Sequence, residues 1–146
     1  MASGEGRRGI VAPTEPPEEA AMTFSVVARD PATGDLGVAV QSKFPFVGAA
    51  VPFAAAGVGA VATQAYVDVS FGPRGLALLE GGGSPDRAIH DLLEHDPLAS
   101  QRQLAIVDAA GRIAVHTGAD CLDWAGHRTG EGWSCQGNIL AGPTVI

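Results

Sequence analysis

TFSVVARDPATGDLGVAVQSK, residues 23–43, is the stretch on which the fold turns. Two apolar runs, Thr23 to Arg29 and Leu36 to Ser42, flank Asp30-Pro-Ala-Thr-Gly-Asp35. Asp and Pro open turns, and Gly34 supplies a position of positive φ. The segment predicts a β-hairpin with a longer loop. Val38 and Val40 share one face of its second strand, and Gly37, Ala39 and Gln41 share the other. The hairpin opens on a hydroxyl residue, Thr23, directly after Met22. It closes on Lys43, the one lysine in the chain. If the Met22–Thr23 bond is cut, hydroxyl and α-amine belong to one residue, and the amine can take the hydroxyl proton. A neighbouring lysine would assist electrostatically. The plainer accounts are a β-branched residue opening a strand and a solvated edge lysine, and the sequence alone favours them. Ser25, on the same face as Thr23, is the alternative hydroxyl.

Before the hairpin, residues 1–22 are rich in Gly, Pro and Glu without apolar periodicity. They are expected to be a disordered extension or a mis-assigned start. After it, residues 43–52 read as a loop or short edge segment, marked by Pro45, Gly48 and Pro52. Residues 57–64, GVGAVATQ, read as a third strand whose glycines mark a bulge or a close backbone approach. Ser70 caps a helix to Glu80 with Leu76, Leu78 and Leu79 on its apolar face; Gly81-Gly82-Gly83 ends it. Ser84 caps a second helix with Pro85 at its first position and Asp86 in its first turn. Two strands, 103–107 and 112–117, follow, joined by a turn at Asp108–Gly111. Residues 118–130 read as a loop and 133–136 as a short strand. The chain stops at Ile146 without a closing element, so it is expected to lack a C-terminal part. Strands, two helices, then strands argue for α+β layers. Val26, Val38, Val40, Val61, Ile106 and Val115 are the expected core.

Composition narrows the function. Sixteen acids against nine bases give a formal charge of −7, with no basic stripe, which argues against a nucleic-acid partner. No apolar run is long enough to span a bilayer, and there is no signal-peptide core, so the expectation is a cytoplasmic protein with no membrane partner. Cys121 and Cys135 form no CxxC pair and read as ordinary thiols. His90 and His95 do not share a helix face, and the GGGS at 81–84 lacks a phosphate-loop lysine. No metal or organic cofactor is implied. Thr63 and Gln64 end the third strand and His127, Gln136 and Asn138 flank small residues, a pattern that suits a cleft rim and equally suits side chains satisfying buried backbone.

Five stretches carry a resemblance: residues 23–44, GVGAVATQAY at 57–66, FGPRGLALLEGG at 71–82, LAIVDAAGRIAVHTG at 104–118 and WAGHRTGEGWSCQGNILAG at 124–142. In order and spacing, residues 23–146 resemble the bacterial family called domain of unknown function 1028, grouped with the N-terminal nucleophile hydrolases. The resemblance implies a four-layer αββα sandwich, incomplete here at its C-terminus. It implies an amidohydrolase acting on a small amide or acyl substrate. Thr23 would be the nucleophile and Lys43 its electrostatic support, with Thr63, Gln64, His127 and Asn138 on the substrate. The alternative is a non-catalytic binding or scaffolding domain that keeps the fold. Uncovered apolar faces leave a homo-oligomer open.

Overall fold

Residues 23–42 form the hairpin that their pattern predicts, β1 (Thr23–Arg29) and β2 (Leu36–Ser42). Its turn is built as the residue types require. The Asp30 carboxylate accepts the Ala32 N–H at 2.7 Å, and Gly34 adopts φ 81°. This structure is a computed structural model that describes residues 22–146. The disorder expected of residues 1–22 therefore concerns, Met22 apart, residues outside those described. The chain continues as α1 (Val47–Ala50), β3 (Pro52–Ala55), β4 (Gly59–Ala65), α2 (Phe71–Glu80) and α3 (Pro85–Leu93). A 3₁₀ turn at Ala99–Gln101 leads into β5 (Arg102–Asp108), β6 (Ile113–Thr117), β7 (Gly126–Gly130) and β8 (Trp133–Asn138).

The strands make two four-stranded antiparallel sheets, a first sheet β2-β1-β8-β7 and a second sheet β3-β4-β5-β6. The sheets pack face to face, and α2 and α3 cover the outer face of the second. Between the sheets lie Val27, Ala60, Ala62, Ala105 and Val107, with Val38, Val40 and Val115 packed against them. The small alanines let the two layers approach. Between the second sheet and its helices lie Val61, Leu104 and Ile106 on one side and Phe71, Leu79, Ile89 and Leu92 on the other. Burying each of these larger side chains is worth about 1.5–3 kcal/mol. Among the described residues, no helix is long and apolar enough to cross a membrane.

Several expectations are refined by the packing. Val26 sits on the outer face of the first sheet, and Val27 takes the fully buried place. Strand parity is the reason: Thr23 and Ser25 face inward, so Val27 does too. Gly59 is a close approach, since a Cβ there would lie 2.6 Å from the Val107 carbonyl oxygen, whereas Gly57 serves a turn at φ 72°. Ser84 caps α3 through the Arg87 N–H at 3.2 Å. Ser70 makes no side-chain cap on α2; instead Asp68 accepts the Ser70 N–H at 2.9 Å. β7, read as loop from sequence, is an edge strand of the first sheet; the segment 43–52, read as a loop or short edge, holds α1 and leads at Pro52 into β3, an edge strand of the second. An edge strand needs no apolar alternation and tolerates Pro52 at its start. Of the two helical layers expected, one is present among the described residues.

The parity can be measured directly. Ile106→Ala should lower the unfolding free energy by about 2–5 kcal/mol. Val27→Ala should cost clearly more than Val26→Ala in urea unfolding. Equal costs would contradict the inward register of β1.

Candidate functional site

On the inner faces, apolar positions give way to polar ones toward one end of the sandwich. In the first sheet Ser25 pairs with Gln136, and Gln136 with His127. In the second sheet Gln64 pairs with Gln103, and Gln103 with Thr117. These two rows face each other, and Ser25, Gln64, Gln103 and Gln136 are all essentially inaccessible to solvent. Three glutamine amides in a dry interior are tolerable only if their polar atoms find partners.

They do. Ser25 donates to Gln64 Oε1 at 2.6 Å and accepts from Gln136 Nε2 at 2.7 Å. Gln136 Oε1 accepts from Ser134 at 2.7 Å. Gln64 Nε2 donates to Gln103 Oε1 at 2.8 Å and to the Gln136 carbonyl at 3.3 Å. Gln103 is the hub: Oε1 also accepts from Asn138 Nδ2 at 3.1 Å, and Nε2 reaches Thr117 Oγ1 and the Gly126 and Gly137 carbonyls at 2.9–3.1 Å. The amide orientations follow from this pattern of donors and acceptors. Thr117 Oγ1 lies 2.9 Å from His127 Nδ1. Desolvation first, and His116 second, lower the His127 pKa from its ordinary value and so favour the neutral ring.

The next inward row of the first sheet is Ser42–Thr23–Asn138, with Thr23 in the middle. Thr23 Oγ1 lies 2.8 Å from Ser42 Oγ, which accepts the Phe44 N–H at 3.0 Å. Thr23, Gln64 and Asn138 floor a cavity of about 300 Å³ between the sheet ends, with Val51, Tyr66 and Leu122 among its walls. Two wall residues, Ala65 at φ 65° and Ile139 at φ 56°, are non-glycines in the left-handed region, and Phe46, which precedes the wall residue Val47 in the chain, is a third at φ 60°. A β-branched residue there is strained, and such strain persists only where surrounding contacts impose it. Here the Ile139 N–H is held by the Leu122 carbonyl at 3.0 Å, and Leu140 and Trp124 exchange backbone bonds at 3.0 and 3.2 Å. The Tyr66 wall is held by Arg102, which bonds the Tyr66 carbonyl, stacks on the Tyr66 and Phe71 rings and pairs with Asp96 at 2.7 Å.

Of the residues singled out from sequence, Thr23, Gln64 and Asn138 come together. Lys43 lies one position beyond Ser42, exposed, and its neighbour Phe44 lines the cavity. The hydroxyl within hydrogen-bond distance of Thr23 Oγ1 is that of Ser42. Thr63 is on the helix side of β4, its N–H given to the Val51 carbonyl at 3.1 Å and its hydroxyl to Asp68 O at 3.2 Å. His127 joins the far end of the buried network and does not line the cavity. Gln103, Ser42 and Thr117 were not singled out. Their signal was a polar residue at an inward position of an otherwise apolar strand, legible once strand parity is known. Away from the cavity, His90 and Asp91 of α3 and Glu94, its C-cap, bring ligand atoms within 4.8 Å of one another, with Asp91 already paired to Arg87 at 2.8 Å.

A sequence model of the family of unknown function DUF1028 matches residues 23–146. A search of curated proteins finds no match. Among solved structures, the chain is similar to the crystal structure of protein SPO2555 from Silicibacter pomeroyi, described with the same family model, at 32% identity and a TM-score of 0.81. The match covers 85% of this chain and 55% of that one, so this chain spans about half the length of that relative.

Gln103→Leu should cost about 2–4 kcal/mol, because the Gln64 and Asn138 amides lose their shared acceptor in a dry interior. Urea unfolding measures this, and a neutral result would show that the network is not closed. Acid acts on the Arg102 anchor. The Arg102 hydrogen bond holds the Asp96 carboxyl below its ordinary value of 3.8, so this pair stabilises fully above that pH and is lost as pH falls through the lower folded value. Asp96→Asn should flatten that limb of a stability–pH curve.

Proposed function

Because the chain belongs to the family of unknown function DUF1028, whose name assigns no chemistry, we propose its function from the site: an N-terminal nucleophile amidohydrolase with Thr23 as nucleophile. The observation that carries the proposal is the place of the Thr23 hydroxyl, at the start of a central strand, on the cavity floor and 2.8 Å from Ser42 Oγ. Two packed sheets with helices on one outer face support the αββα sandwich of that superfamily. Backbone strain gathered at Ala65 and Ile139 supports a site held in a fixed shape.

The chemistry requires cleavage of the Met22–Thr23 bond. The freed α-amine takes the Thr23 hydroxyl proton while Oγ1 attacks the amide carbonyl carbon. The carbonyl oxygen becomes an oxyanion. Asn138 gives one N–H to Gln103, leaving the other for that oxyanion. Collapse breaks the C–N bond, and the proton held by the α-amine goes to the leaving amine. Water then hydrolyses the Thr23 ester with the amine again acting as base. Ser42 orients Oγ1, Gln64 fixes the floor, and Lys43 supports the nucleophile electrostatically.

With Met22 still attached, the Thr23 nitrogen is an amide without basic character. That observation favours the second reading, a binding domain that keeps the cavity and performs no reaction.

The decisive experiment is an amidase assay of protein starting at Thr23 beside the Met22-joined chain. The processed form should be active and the joined form inactive. Thr23→Ala should abolish turnover without unfolding the protein, and Ser42→Ala should lower kcat. The rate should rise with pH as the α-amine, at about 7.7–8.0 in unperturbed peptides, loses its proton. Turnover that survives Thr23→Ala would sink the mechanism, and inactivity of both forms leaves the binding domain.

A further inference from the structure

The cavity above Thr23 is selective in character. Its floor carries the polar side chains Thr23, Gln64 and Asn138; Gln101 and Asp120 also line it, and the rest of its wall is largely apolar, with Phe44, Val47, Val51, Tyr66, Leu122 and Ile139. Phe44, Tyr66 and Leu122 are also more than half exposed, at 55%, 59% and 66%, so the apolar surface runs out to the mouth. Large apolar side chains left exposed around a concave site mark a surface that is covered when a ligand sits in it. The charged residue lining this cavity is Asp120, a carboxylate, and the chain as a whole carries −7. A second carboxylate on the ligand would meet repulsion there.

From this we infer that the site takes a neutral amide with an apolar acyl group, its carbonyl at the polar floor and its acyl chain along the Tyr66–Leu122 wall. The inference rests on the proposed reading for which atom is attacked, and on the cavity alone for what binds. About 300 Å³ holds roughly ten non-hydrogen atoms, taking each at the share of a water molecule. That admits a six-carbon aliphatic chain or a phenylacetyl group with its amide. It leaves no room for a peptide of several residues. Phe44, Tyr66 and Leu122 are then specificity-determining residues, remote from the reacting bond.

The test uses the 146-residue chain and the series acetamide, butanamide and hexanamide, followed by NMR titration, so that binding is read without turnover. Each added methylene should tighten binding about fourfold, so the four that separate hexanamide from acetamide make it about 250-fold tighter. Hexanoate, the anion of the same length, should bind more weakly than hexanamide. Leu122→Asp changes an exposed side chain and should weaken hexanamide about tenfold while leaving the melting curve in place. Ala50→Phe should fill the cavity and give the same loss. A flat series, hexanoate binding tighter than hexanamide, or a Leu122→Asp chain that binds hexanamide unchanged would each overturn the inference. Hexanamide binding without amidase activity in the processed chain keeps the apolar site and removes the reaction. Equal cleavage of acetyl and hexanoyl anilides keeps the reaction and removes the acyl selectivity.

Discussion

Gln103 reaches across the interface between the two sheets, and the site depends on its being satisfied there. Its carbonyl oxygen receives the amides of Gln64 and Asn138, from the second and the first sheet respectively. Its nitrogen meets carbonyls of β7 and the end of β8. In a dry interior such a network is either complete or costly. Sliding one sheet along the other by a residue would leave several amides without partners at once. The apolar part of the same interface, mainly Val and Ala, discriminates less between such registers. The polar rows therefore set how the sheets align, and the apolar rows supply the cohesion.

That alignment shapes the cavity. Once Ser25, Gln64 and Gln136 are locked together, the row beyond them, Ser42–Thr23–Asn138, stands at the open end with no facing strand row. The chain must then cross from β4 into α2 and leave β8 within a few residues of it. Ala65 and Ile139 accept the left-handed conformations that those exits need. Arg102 holds the first exit by bonding the Tyr66 carbonyl, and it stays charged in a buried place because Asp96 and Asp68 face it. The Leu122–Ile139 and Trp124–Leu140 backbone bonds hold the second. The wall of the cavity is thus built from strain on one side of each exit and compensating bonds on the other.

The two outer faces of the sandwich differ. The second sheet is covered by α2 and α3, whose approach needs Gly72 under the Phe53 ring and Gly75 against Val61. The outer face of the first sheet carries Phe24, Val26 and Trp133, of which Phe24 is 36% and Trp133 38% exposed. The relative from Silicibacter pomeroyi is nearly twice as long as the matched part.

Local chemistry made much of this chain legible in advance. The hairpin of residues 23–42, the two helices with the Ser84 cap, and the Asp108–Gly111 turn all follow from residue types acting within a few positions of themselves. So did Thr23, Gln64 and Asn138 as candidates, since each is a polar residue at the end of a strand. The sequence by itself did not decide which face of a strand meets which layer. Inward parity separates Val27 from Val26 and Gln64 from Thr63, and a strand alone is symmetric between its two faces. It did not reveal β3 and β7 either, because an edge strand bonded on one side needs no apolar alternation. Gln103 gained its meaning only when residues 25, 64, 136 and 138 were brought around it. Those contacts join positions far apart in the chain, and pairing over such distances is decided by how two whole sheets pack.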